Sequence, residues 1–261
     1  MKTKWIIMWS TMVLQMKNSF TRPMYRFCLI MNPIGNTILL YYMFSNSGEE
    51  NFMTYVVLGA GLMGLWGCIC FSSAGDINRE RFYGTLSAIY TAPADFQYII
   101  TGKVLGNTFL SLATLFISYV VAKILFRASF GGVCIQYLFI GLLAVVITFS
   151  IVSIGISYIL TLSRKTGLYM NCLEVPITLL CGFAFPVEML PNWIQPISNC
   201  LAPTWAVRLL RISVMRSIDL NEFYYTLLIV CIINIMGVVI NKLLYRIIDK
   251  KVRLHATLEV S

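Results

Sequence analysis

Few side chains in this sequence could perform bond chemistry, and their spacing argues against it. His255 is the only histidine, and the eight cysteines show no C-x-x-C or Cys/His ligand spacing, so a metal centre is not expected. An enzyme site needs clustered titratable groups, whereas the carboxylates here are isolated. No phosphate cradle is present: the sole Gly-Lys is Gly102-Lys103, with Gln97 and Val104 where a P-loop needs Gly and Ser or Thr. Glu174 stands out, inside the otherwise apolar stretch Gly167–Phe185. A carboxyl at mid-span costs about 2.5–3.5 kcal/mol on insertion scales, so it needs water, a partner or a proton. It either lines a polar path or, seven residues from Gly167, reaches interfacial water or Arg164. Two charged groups complete the inventory. One is Asp76, Arg79, Glu80 and Arg81; the other is Arg208, Arg211 and Arg216, with Asp219 and Glu222 as possible partners.

The elements that hold these residues are set by composition. The 261 residues are 58% hydrophobic and only 12% charged, with a mean hydropathy of +0.78. A soluble domain carries about 25% charged residues, so most of this surface must face lipid or other apolar helices. The net charge of +9 reads as basic loops on one membrane face rather than nucleic-acid binding. Stretches free of charge place spans at Phe27–Gly48, Asn51–Gly75, Val104–Ala122, Cys134–Leu162, Gly167–Phe185 and Phe223–Asn241, with Gly131-Gly132 as a turn. Most of the 20 Lys and Arg then fall in the N-terminal segment, the loops after the second and fourth spans, and the tail, which puts both termini in the cytoplasm.

The first 26 residues do not read as a signal peptide. Trp5, Ile6, Met8, Trp9, Met12, Val13 and Met16 recur at spacings of three and four, as expected of an interfacial amphipathic helix. Residues 78–96 read as a second, cytoplasmic amphipathic helix, with Phe82, Leu86, Ile89 and Tyr90 on one face. Residues 183–219 hold Pro186, Pro191, Pro196 and Pro203 yet are apolar, which suits a broken helical hairpin re-entering the outer leaflet. Gly61, Gly64 and Gly67 form a small-residue face on the second span. The fold expected is one all-α membrane domain over 1–261: interfacial helix, six transmembrane helices and outer re-entrant segment.

Two of these segments carry a family likeness. The first reads Glu80-Arg81-Phe82-Tyr83-Gly84-Thr85-Leu86-Ser87, then Ala92-Pro93, then Gly102-Lys103. The second reads Phe185-Pro186, Leu190-Pro191-Asn192-Trp193 and Ala202-Pro203-Thr204-Trp205. Together, in this order and on opposite sides, they resemble the permease subunit of ABC-2 type ABC exporters, the superfamily of drug-resistance and polysaccharide exporters. Ser87 departs from the pattern, which more often has Glu there.

The resemblance implies a bacterial cytoplasmic-membrane permease that pairs with a second permease and binds cytoplasmic ABC ATPase subunits. ATP and Mg would sit on those ATPases, with no cofactor on this chain. Arg79, Glu80, Arg81, Gly84, Thr85 and Leu86 would couple to the ATPase. Phe185, Pro186, Leu190, Pro191, Trp193 and Pro203 would form the outer gate; Glu174, from its place in a span and not from the resemblance, is the candidate for lining the path, with a structural role as the alternative. The cargo expected is an amphiphile: a drug, peptide or lipid-linked molecule. An ion-coupled secondary transporter or channel is the alternative, although no repeat relates the two halves of the chain.

Overall fold

The computed structural model describes residues 2–45, 52–92, 95–126, 134–162, 166–215 and 219–255. The expectations placed on Pro93, Gly131, Gly132, Arg164 and Arg216 lie outside these residues. The described chain is helical: α1 (Lys2–Thr21), α2 (Pro23–Phe44), α3 (Phe52–Phe82), α4 (Thr85–Thr91), α5 (Phe96–Ser111), α6 (Ala113–Phe126), α7 (Ile135–Leu162), α8 (Thr166–Leu180), α9 (Gln195–Asn199), α10 (Ala202–Val214) and α11 (Leu220–His255). A single 3₁₀ turn spans Val187–Met189.

Among the described residues, five helical stretches are long and apolar enough to cross a membrane: Pro23–Phe44, Phe52–Phe82, Phe96–Phe126, Ile135–Thr161 and Leu220–Lys250. The chain is therefore an all-α, multi-pass membrane protein. The remaining expected span falls on α8, whose 15 residues rise only about 22 Å at 1.5 Å per residue.

Helix α3 is the central post. Lipid tails are as apolar as leucine, so helices in a membrane associate through close packing rather than through burial from water. The glycines of α3 provide that closeness within the chain. A Cβ on Gly59 would lie 2.8 Å from the Phe183 carbonyl, and one on Gly61 would lie 2.9 Å from the Leu115 Cα of α6. Thr114 donates to the Gly61 carbonyl at 3.0 Å. Below this contact Trp66 is fully buried, edge-on to Phe149 of α7 and to Phe183 after α8.

Helix α8 ends in a Schellman turn: Gly182, at φ +69°, lets the Phe183 amide reach back to the Thr178 carbonyl at 3.3 Å. Prolines then punctuate 183–219 at positions they tolerate. Pro196 and Pro203 sit in the first turns of α9 and α10, where an amide would lack an intrahelical partner anyway. Helix α10 packs against α7 and α11, burying Leu209, Leu210 and Ile212.

Helix α1, expected as an interfacial amphipathic helix, packs along α5. It runs parallel to α5, with Lys4 beside Tyr98, Met8 at Gly102 and Met12 at Gly106. A Cβ on Gly102 or Gly106 would lie 2.6 Å or 2.7 Å from a carbonyl oxygen of α1. Trp5, Ile6 and Trp9 point outward, while Gln15 and Ser19 are buried. The polar edge of α1 faces protein because polar partners wait there on α3 and α5.

Candidate functional site

The segment expected as one amphipathic helix over 78–96 is a helix, a turn and a helix. Helix α3 continues to Phe82; Gly84 then takes φ +67°, a left-handed conformation that costs any other residue strain, and α4 starts afresh at Thr85. The turn is closed by the Gly84 amide on the Arg81 carbonyl at 3.0 Å and by the Thr85 hydroxyl on the Glu80 carbonyl at 3.2 Å. Phe82 and Leu86 consequently do not share a face. Phe82 is 81% exposed and Tyr83 68%, whereas Leu86 is fully buried against Phe96, Ile100 and Ile248.

The candidate coupling residues divide by this geometry. Glu80 turns inward and forms an ion pair with Lys103 of α5. Arg81 is buried and donates to the Thr161 carbonyl at the end of α7 at 2.7 Å. Arg79 pairs with Asp76 at 3.0 Å. Gly84 and Thr85 are exposed beside Phe82 and Tyr83. Arg79, Glu80, Arg81 and Leu86 therefore hold the corner, and Phe82 and Tyr83, absent from the expected set, present it.

Beneath the corner lies a polar node centred on Asp76. Asp76 is only 4% exposed. Its carboxylate meets Arg22 at 2.6 Å and Arg79 at 3.0 Å, and accepts hydrogen bonds from Asn107 at 2.9 Å and from Gln15. Asn107 in turn accepts from Ser19 at 2.8 Å. One carboxylate thus ties α1, the α1–α2 junction and α5 to the root of the α3–α4 corner. A buried carboxylate is tolerated when its lone pairs are filled and its charge is met; here Arg79, Asn107 and Gln15 donate to it and Arg22 adds an ion pair. The available signal was Gln15, Asp76 and Asn107 standing beside apolar runs; their mutual contact spans too much sequence to be read from spacing.

Glu174 lies on α8 against the bare backbone of Gly67. A Cβ on Gly67 would sit 3.0 Å from its Oε1 and 3.6 Å from Asn32 Nδ2 of α2. The carboxylate is half-buried and has no ion-pair partner among the described residues.

The expected gate residues occupy the opposite end of the molecule. Phe185 and Pro186 are half-buried, and Pro203 is buried in the first turn of α10. The Leu190 carbonyl accepts from Gln195 at 2.9 Å and the Pro191 carbonyl from the Ile194 amide at 2.8 Å, fixing the turn that leaves Trp193 74% exposed. Arg211 is buried nearby; desolvation pulls its guanidinium below the ordinary arginine value, to about 10, outweighing the raising effects of Tyr55 and Glu188. Between α3, α6 and α7 runs an apolar groove of about 970 Å³ lined by Leu58, Leu112, Phe116, Phe139 and Leu142.

The described residues form a helical membrane domain with a left-handed glycine corner at one end and a proline-broken segment at the other. The family model of the ABC-2 type transporter matches residues 6–215, and the chain belongs to that family. No curated protein matches the sequence. The match takes in both ends of the bundle, from α1 through α10. The protein is accordingly a membrane permease of an ABC-type transporter.

Proposed function

We propose that this permease is the membrane half of an exporter. In this reading an ATPase on a separate chain hydrolyses ATP, with its Mg, and the permease moves an amphiphilic molecule outward. Both termini and the α3–α4 corner face the bacterial cytoplasm, a second permease completes the path, and residues 183–219 form the outer gate. The observation that carries the reading is the corner itself. Two exposed aromatic rings stand on a turn whose flanks are tied to α5 and α7, and such a rigid knob suits a cleft in a partner. The drug-sized apolar groove supports an amphiphilic cargo.

The test is mild-detergent purification from native membranes, with mass spectrometry of the proteins retained. A Walker-type ATPase is expected with wild type. With Phe82→Ala/Tyr83→Ala its retention falls at least tenfold while folded permease is unchanged. Equal retention by that variant refutes the corner as the docking point. Half-buried Glu174, unpaired among the described residues, favours the second reading, an ion-coupled transporter, if crosslinking in intact membranes finds no ATPase.

A further inference from the structure

At the end opposite the α3–α4 corner, a pocket of about 260 Å³ opens between α10, the start of α3, the start of α11 and the loop after α8. Its lining includes Tyr55, Glu188, Trp205, Arg208, Arg211 and Glu222. The two arginines differ. Arg208 is half-exposed and pairs with Glu222 at 3.1 Å, with its guanidinium 5.8 Å from the Trp205 ring. Arg211 is only 9% exposed, donates one Nη to the Phe183 carbonyl at 3.1 Å, and lies 5.6 Å from the Tyr55 ring. Its Nε is buried without a hydrogen-bond partner among the described residues, and no carboxylate there lies within 4.0 Å of the group. Glu188 lines the pocket but is exposed and forms no ion pair among these residues.

A guanidinium held out of water with one neutral acceptor and one aromatic face is under-satisfied. Removing it from water costs several kcal/mol, which a carbonyl alone does not return. An oxyanion would complete it, since two oxygens match the planar fork of guanidinium donors. The volume is below the usual range for drug-sized sites and suits a headgroup rather than a whole amphiphile. Tyr55 and Trp205 are the aromatic types found where a membrane meets water.

We propose that this pocket is an oxyanion site, in which Arg211 binds the phosphate or carboxylate of an amphiphile's headgroup while Arg208, neutralised by Glu222, contributes little. The proposal rests on the exporter reading only for which side of the membrane the pocket faces.

The experiment uses the full chain in neutral maltoside detergent and measures saturable thermal shifts. The probes are dihexanoyl phosphatidylglycerol, dihexanoyl phosphatidylcholine and inorganic phosphate. Saturable binding of at least one phosphate-bearing probe is expected, weakened at least tenfold by Arg211→Gln and less than threefold by Arg208→Ala. Competition by inorganic phosphate identifies a free-anion site; binding of the lipids alone identifies a headgroup site. Either supports the proposal. No saturable binding by wild type, as when a second copy covers the pocket, overturns it, as does equal affinity in Arg211→Gln. If Arg211→Gln does not fold, Glu188→Gln decides. Removing that neighbouring negative charge tightens binding about threefold or more, and unchanged or weaker binding overturns the proposal. Because no ATPase is needed, a chain that binds these probes but recruits no ATPase refutes the exporter reading and leaves this one standing.

Discussion

Asp76→Asn is the sharpest perturbation of the polar node because it keeps shape and removes charge. In the native node the carboxylate accepts from Arg79, Gln15 and Asn107 and is ion-paired with Arg22. The amide offers one acceptor oxygen and sets its own NH₂ against one side of that ring, so at least one donor is orphaned. Breaking a fully buried pair costs about 3–5 kcal/mol. The arginine side chains retain 20% and 33% of their exposure and recover part of that in water. The expected loss is about 2–3 kcal/mol, a shift of roughly 30- to 150-fold in the unfolding equilibrium. Denaturing-detergent titration followed by tryptophan fluorescence measures it, since Trp66 is fully buried. Asp95→Asn, at an exposed position before α5, should stay within about 0.5 kcal/mol and serves as the control. A second arm removes Arg22 as well. In the double variant with Arg22→Gln the losses should add to less than their sum, because the two groups share one interaction. An Asp76→Asn loss below about 0.5 kcal/mol, or strict additivity with Arg22→Gln, would refute the argument that one carboxylate clamps these helices.

Gly102→Leu should part α1 from α5, because the new side chain meets the Met8 carbonyl of α1 rather than a yielding side chain; limited proteolysis within α1 should accelerate at least tenfold while the other helices stay protected. Gly84→Ala should cost about 1–2 kcal/mol through its left-handed backbone, with no steric contact to add to it, and should lower ATPase retention without loss of helicity by circular dichroism. Glu174→Gln should reduce transport several-fold in vesicles with near-normal amounts of folded protein; loss of folded protein instead would make the carboxylate structural.

How legible this molecule was depends on the length scale of each signal. The hydropathy runs placed α2, α3, α7 and α11 because a span is a local property of about 20 residues. The corner was misjudged for a local reason: Phe82, Leu86 and Ile89 satisfy a helical period, but one glycine resets the phase between the first and the second. Gly102 and Gly106 bring α5 close to α1, and nothing in the sequence named α1 as their partner. The burial of Asp76 could not be read locally. An acidic residue after an apolar run ordinarily meets water, and only the return of Gln15, Arg22 and Asn107 from distant positions buries it. Arg211 was visible as one of a charged trio, but its separation from Arg208 in burial and pairing exists only in three dimensions.

Helix α3 runs without a proline from Phe52 to Phe82, carrying Tyr55 near one end and Phe82 at the other. At 1.5 Å per residue, 31 residues make a rod about 46 Å long. A tilt of about 5° about its middle displaces each end by about 2 Å in opposite directions. The two ends then form a reciprocal pair. If the proposed partner at Phe82 tilts the rod and the proposed occupant beside Tyr55 favours one tilt, linkage requires each to change the other's affinity by the same factor.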